Sequence, residues 1–160
     1  GVDQKPFDGK VDYDYIMWID SDMVFKPEDF FKLIDHDKDI VSGMYKMSDD
    51  VNYATVETMD EEFFEEWMHY QFMQDKDIEN KKETPFKADY TGMGWMLVRK
   101  GVIEKMKYPY FYPRKQVWKQ YGWEEFVWDD VEFCLRAREN GHDIWIDPKI
   151  RIGHEKVKIL

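Results

Sequence analysis

Near its start the chain reads Tyr15-Ile-Met-Trp-Ile-Asp20-Ser21-Asp22, five apolar residues running straight into two carboxylates separated by one serine. The apolar run has the length of a buried strand, and a buried strand holds no unpaired carboxylates inside its sheet. Asp20 and Asp22 therefore emerge at its C-terminal end, where open α/β sheets place their ligands. Asp-Ser-Asp is turn-prone, because both residue types hydrogen-bond their own backbone. A polar strand-to-helix turn, with Asp22 near the next helix start, accounts for the same eight residues. The rest of the chain decides between turn and ligand site.

Outward from that stretch, strands and helices alternate. Residues 1–12 carry Pro6 and Gly9 and read as a loop. Lys26-Pro27-Glu28-Asp29 is a helix start, with proline first and carboxylates in the first turn, and Phe30, Phe31, Leu33 and Ile34 give that helix its apolar face. Residues 40–45 form a second strand, and 51–59 a weaker one. Asp60-Glu61-Glu62 opens an amphipathic helix with Phe63, Phe64, Trp67, Met68 and Phe72 as its stripe. Residues 75–84 are charged and aperiodic, which predicts a mobile loop or lid. Strands come next at 86–90 and 95–98, then a short helix at 101–106. An irregular aromatic stretch spans 108–128, with most of its rings expected in the core. The helix at 129–140 ends on Gly141. A strand at 142–146, a turn at Asp147-Pro148 and a strand at 150–152 lead to Gly153-His154. The alternation predicts one α/β domain over residues 1–160.

The totals exclude several classes. With 23 basic and 34 acidic residues the net charge is −11, which disfavours bare nucleic acid as a partner. A phosphorylated small ligand would then need a divalent cation as intermediary. Cys134 is alone, so no internal disulfide is available. No apolar run reaches transmembrane length and the N-terminus has no signal-peptide pattern, so a soluble cytoplasmic protein is expected.

Four places at the ends of predicted elements carry chemistry. They are the Asp20/Asp22 turn, the glycines Gly92 and Gly94, the helix start at Asp129/Asp130, and His154. Asp129-Asp-Val-Glu132 fits a capping box, with Asp129 as N-cap and Glu132 reaching back. Asp130 is then free to face a cleft, its anion favoured by the helix N-terminus, as a general base requires. A carboxylate, an imidazole and substrate oxygens suit a borderline ion such as Mn²⁺. Gly92 and Gly94 fit either a tight turn or close approach of a ligand to the backbone. His36, His69 and His142 read as surface residues.

The order of motifs has a resemblance of its own. The strand with Asp-Ser-Asp is succeeded by Ile40-Val-Ser-Gly-Met-Tyr and Ala88-Asp-Tyr-Thr-Gly-Met-Gly-Trp-Met-Leu-Val-Arg. Then come Trp128-Asp-Asp-Val-Glu-Phe-Cys-Leu-Arg-Ala-Arg-Glu-Asn-Gly and Asp147-Pro-Lys-Ile-Arg-Ile-Gly-His. Together they resemble the C-terminal two-thirds of a GT-A-fold glycosyltransferase, over about residues 13–156. The resemblance implies a mixed sheet flanked by helices, lacking the first nucleotide-binding strand–helix units. It implies a nucleotide-diphosphate sugar donor, a carbohydrate or other hydroxyl acceptor, and Mn²⁺ or Mg²⁺. Asp20, Ser21 and Asp22 would form the cofactor-binding turn, Asp22 and His154 the metal ligands, and Asp130 the base of an inverting transfer. Gly92, Met93, Gly94, Trp95 and Asp129 would line the substrate site. Asp129 stands where the family has Glu, a change that keeps the charge.

With only 19 residues before Asp20, the resemblance leaves open a preceding segment or partner chain that supplies the nucleotide-base site, or a fold kept for binding without activity. On that ground poor nucleotide-sugar binding by residues 1–160 alone is expected. The enzyme rival is a haloacid-dehalogenase-like phosphatase. Its Asp-X-Asp-X-Thr/Val pattern fits Asp20-Ser-Asp-Met-Val24, with Asp20 as nucleophile, but it also demands a lysine and gives His154 no role.

Overall fold

Apolar residues alternate between the two faces of each central strand, so the sheet they build is covered on both sides. The computed structural model describes residues 5–81, 83–119 and 121–155. Its elements are β1 (Tyr15–Ile19), β2 (Met23–Val24), α1 (Pro27–Asp35), β3 (Ile40–Met44), β4 (Thr55–Val56), α2 (Glu61–Trp67) and α3 (Asp75–Ile78). They continue with β5 (Phe86–Ala88), β6 (Tyr90–Thr91), β7 (Trp95–Arg99), α4 (Val102–Lys105), β8 (Lys115–Trp118) and β9 (Trp123–Phe126). The chain closes with α5 (Asp129–Glu139), β10 (Ile144–Arg151) and β11 (Gly153–His154).

Five strands form the main sheet in the order β1-β7-β3-β10-β5. It is mixed and mainly antiparallel, since only β3 and β10 run parallel. Ile40, Met96, Val98, Ile144 and Ile146 point to one face, where α4 and α5 cover them with Val102, Ile103, Val131 and Cys134. Val41, Leu97 and Trp95 point to the other, where Leu33 of α1 packs with Phe30 and Ile34 at its flanks. The strand directions gather one end of the sheet. Ile19 lies opposite Trp95, so β1 finishes where β7 begins. β3 is antiparallel to β7 and parallel to β10, which brings their C-terminal ends to the same place.

Several sequence expectations are corrected by this fold. The segment 75–84 is anchored over its first part: α3 buries Ile78, and the Asp75 carboxylate takes hydrogen bonds from Tyr53 Oη (2.6 Å) and Lys46 Nζ (2.7 Å). Residue 82 of that segment lies outside the described residues, as do 1–4 of the N-terminal loop. The helix at 61–67 stops at Trp67, because Met68 adopts a left-handed conformation with φ of 59°, and Phe72 falls beyond it. His142 is buried and its Nδ1 meets Asp39 Oδ2 at 2.7 Å; His36 pairs likewise with Asp147 at 2.7 Å. His142 is therefore not a surface residue, while His36 remains partly exposed beside its acidic partner.

Two differences bear on the site. The 108–128 stretch is less irregular than expected: β8 and β9 pair as a hairpin around Gly122, whose φ of +64° marks the turn. β8 lies against the domain and β9 is the outer strand, exposed at every residue. Trp118 is buried while its cross-strand partner Trp123, together with Tyr108, Tyr112, Tyr121, Phe126 and Trp128, stays exposed, against the expectation that most would pack inside. The second difference lies in β10. Where a turn was expected at Asp147-Pro148, one strand continues through an irregularity, advancing from Ile146 to Arg151 while β3 advances only from Ser42 to Met44. Gly43 makes room for it: a Cβ there would stand 2.6 Å from Ile150 Cγ2 and 2.9 Å from the Ile150 carbonyl oxygen.

Candidate functional site

The acidic turn is built from its backbone. The Asp20 N–H donates to the Gly94 carbonyl (3.0 Å), holding the end of β1 against the start of β7. The Met23 N–H donates back to the Asp20 carbonyl (3.1 Å), so Asp20-Ser21-Asp22 turns as its composition predicts, with Ser21 exposed. The chain then forms β2, which the sequence does not reveal because two residues are too few for a periodic signal. β2 pairs antiparallel with β11, Met23 opposite His154, and the Glu155 N–H donates to the Asp22 carbonyl (2.8 Å). This short ladder brings Asp22 and His154 together from opposite ends of the chain.

His154 Nε2 stands 3.0 Å from Asp22 Oδ2, and its Nδ1 stands 2.8 Å from the Lys46 carbonyl oxygen. A carbonyl only accepts, so Nδ1 carries the proton. Nε2 then faces a carboxylate oxygen, and two lone pairs at that distance need a proton or a cation between them. The carboxylate–imidazole donor set thus fits a borderline divalent ion. Among the described residues no group of three or more His, Cys, Asp and Glu side chains gathers around a common point. An ion held by Asp22 and His154 would take its other ligands from substrate oxygens or water.

Beside this corner Trp18, Asp20, Tyr45, Met93, Gly94, Phe111, Asp129 and Asp130 line a cleft of about 400 Å³. The cleft joins the expected Asp20, Met93, Gly94, Asp129 and Asp130, and among the described residues no lysine of the phosphatase reading lines it. Trp95 is excluded. As the first residue of β7 it turns its indole into the core, fully buried and 4.2 Å from the Phe25 ring centroid. Ser42 Oγ donates to its carbonyl, so Trp95 serves the sheet.

Asp130 is half-buried and lies one residue inside α5. Its Oδ1 accepts from the Val131 N–H (2.7 Å) and its Oδ2 from the Tyr90 hydroxyl (2.8 Å). Burial nevertheless wins, and it raises the carboxyl above the usual aspartate range despite those donors, with the Asp129 charge adding to the rise. The helix N-terminus therefore does not set the direction, contrary to the sequence expectation. The capping box is also absent. α5 starts after Trp128, and the fully buried Glu132 does not reach back but pairs with Arg114 Nε at 2.6 Å.

Tyr45, which the sequence presents only as a strand end, connects the two halves. Its ring meets the His154 ring edge-on at 5.6 Å, and its hydroxyl accepts from the Gly94 N–H at 3.0 Å. Burial raises its ionisation well above the ordinary phenol, so the hydroxyl remains neutral. Gly92 and Gly94 both serve this contact. Neither has a positive φ, so conformation does not demand glycine there. Space does: a Cβ on Gly92 would stand 2.2 Å from Tyr45 Oη, and one on Gly94 2.9 Å from Asp20 Oδ2. Glycines spaced one apart before a strand were the available signal for a side chain seated on that backbone. Gly92→Ala should cost about 1–3 kcal/mol by overpacking. In Gly92→Ala/Tyr45→Phe the removed hydroxyl should return about 1 kcal/mol relative to the sum of the single variants. Urea unfolding of the four proteins measures this, and strict additivity would show that the two residues do not meet.

No helix among the described residues is long and apolar enough to cross a membrane. No family model matches the chain, and no curated protein matches it. Among solved structures the chain is similar to A197 from STIV, with a TM-score of 0.58 and 17% identity over 91% of this chain. The chain spans 59% of the length of A197. At that identity the likeness is one of fold, and the shared property is a mixed α/β architecture.

Proposed function

We propose that this chain is the metal and base portion of a GT-A-type glycosyltransferase, moving a sugar from a nucleotide-diphosphate donor to an acceptor hydroxyl with inversion. The observation that carries the reading is the meeting of the Asp22–His154 pair with the Asp20/Asp130 cleft at one sheet end, joined through Tyr45. A divalent ion held by Asp22 and His154, Mn²⁺ or Mg²⁺, would neutralise the diphosphate as its bond to the sugar breaks. Asp130 takes the proton of the acceptor hydroxyl, whose oxygen lone pair attacks the anomeric carbon as the carbon–oxygen bond to the diphosphate opens. Asp20 contacts the donor ribose, while Met93, Gly94 and Asp129 shape the space between donor and acceptor. β1 has a strand on one side only among the described residues, and its other edge is where further nucleotide-binding strand–helix units would continue the sheet.

The experiment is release of nucleoside diphosphate from a panel of nucleotide-diphosphate sugars by the full chain, with and without Mn²⁺. Donor is supplied at saturating concentration, because a weakly held nucleotide raises KM without removing the chemistry; metal-dependent release then supports the reading, and none with any donor overturns it. The base has its own signature. Asp130 works as the anion, so activity is present above its pKa and is lost as pH falls through it. The Tyr90 hydroxyl stabilises that anion, so Tyr90→Phe should move the acid limb of kcat/KM to higher pH. A hydrogen bond to a charged group of about 1.5–3 kcal/mol corresponds to about one to two pH units. An acid limb that stays in place would remove Asp130 from the base role.

A further inference from the structure

Beyond the cleft the surface changes character. Phe111, Tyr112, Pro113, Glu125, Phe126, Val127, Trp128 and Asp129 line a second groove of about 570 Å³. It shares Phe111 and Asp129 with the cleft around Asp20 and Asp130, so the two adjoin along those residues. Trp128 is 79% exposed, Phe126 64% and Tyr112 38%. Adjacent exposed aromatic side chains on this scale mark a binding surface. No structural task explains Trp128: it precedes α5 without a side-chain capping bond. Tyr112 is held in place, with the Arg136 guanidinium 5.1 Å from its ring centroid.

We propose that this groove binds a neutral saccharide as the acceptor, with Trp128 and Phe126 packing against sugar-ring faces and Glu125 and Asp129 accepting from sugar hydroxyls. The proposal rests on the transfer reading for the word acceptor, because the groove adjoins the cleft that holds the proposed base. The chemistry selects the ligand. Sugar rings present C–H faces to aromatic rings and hydroxyls to carboxylates, which matches an aromatic groove carrying acidic groups. A purely apolar partner would bury the two carboxylates without donors. Anionic lipid or an acidic glycan would meet those carboxylates, Asp20 and Asp130 on a chain of net charge −11.

The test uses the full chain on an immobilised array of neutral oligosaccharides, without donor or metal, so that it does not require turnover. Wild type should be retained by at least one neutral saccharide, and Trp128→Ala should weaken that binding at least tenfold. Trp123→Ala, which changes a 59% exposed ring of the same hairpin outside the groove, should bind as wild type. Trp128 touches no core cluster, so the variant remains folded and its circular dichroism should match wild type. The proposal is overturned if no neutral saccharide is retained, if Trp128→Ala and Trp123→Ala behave alike, or if only acidic saccharides bind. It is also overturned if wild type sediments as a dimer that Trp128→Ala disperses, because the groove would then be an interface between copies. Metal-dependent donor cleavage is measured separately. Array binding without donor cleavage removes the transfer reading and the acceptor role with it, whereas cleavage without array binding removes only the saccharide groove.

Discussion

Asp22→Ala should lower metal-dependent release of nucleoside diphosphate by about 10³-fold, the kinetic equivalent of the several kcal/mol that a cation contributes at a breaking diphosphate bond. The carboxylate is one of only two protein donors at that corner, since His154 is the other and no third acidic or imidazole group joins them among the described residues. On the proposed reading its removal would leave a single imidazole as protein donor, too few to hold the ion. The loss should not come from unfolding. Asp22 is partly exposed, and its main-chain carbonyl keeps the bond from the Glu155 N–H in the variant. Thermal unfolding of Asp22→Ala should therefore stay near wild type while Mn²⁺ no longer stimulates release. Unchanged Mn²⁺ stimulation would place the cation elsewhere.

The largest stability effect should come from Arg136→Met. Arg136 is buried on α5, and its guanidinium donates to the carbonyls of Pro109 (2.5 Å), Tyr110 (3.3 Å) and Lys107. It also stands 3.9 Å from Glu132, which is fully buried and paired on its other oxygen with Arg114. Methionine keeps the hydrophobic stem and removes every one of these polar contacts. Carbonyls lose their donors and Glu132 loses half of its countercharge, a combination that should cost about 3–5 kcal/mol. Against a typical total of about 5–15 kcal/mol, that is a large fraction. Arg136→Met/Glu132→Leu should recover part of the loss, because removing both partners of a buried pair is less costly than removing one. Denaturant unfolding decides, and a loss below about 1 kcal/mol for the single variant would contradict the contacts.

How much of this was legible beforehand differs by element. The acidic turn after β1 was, because apolar residues next to two carboxylates admit few arrangements. The main strands and α5 were legible for the same kind of reason, as periodic runs with clear ends. The β8–β9 hairpin was not. Lys115-Gln-Val-Trp and Trp123-Glu-Glu-Phe lack the alternation of a half-buried strand, since salt-bridged Lys115 and Glu124 stand among the exposed rings. The meeting of Asp22 and His154 rests on a ladder of two residues per strand, below any pattern visible in one chain. Tyr45 escaped for a different reason. A tyrosine ending a buried strand has nothing local to distinguish it, and its role comes from glycines almost fifty positions away.

The irregular middle of β10 has a consequence for how this chain tolerates change. Residues 147–150 have the composition of a surface connection, the sort of place where insertions and deletions usually pass unnoticed. Here they act as a counted spacer. Before them Ile144, Trp145 and Ile146 are fixed to β3 and β5; after them Arg151 is fixed to Met44 and His154 to Met23. Side chains alternate along a strand, so one residue more or fewer would deliver His154 to the opposite face while leaving the sheet intact. Length in this segment decides which face His154 reaches, three residues beyond the last pair with β3.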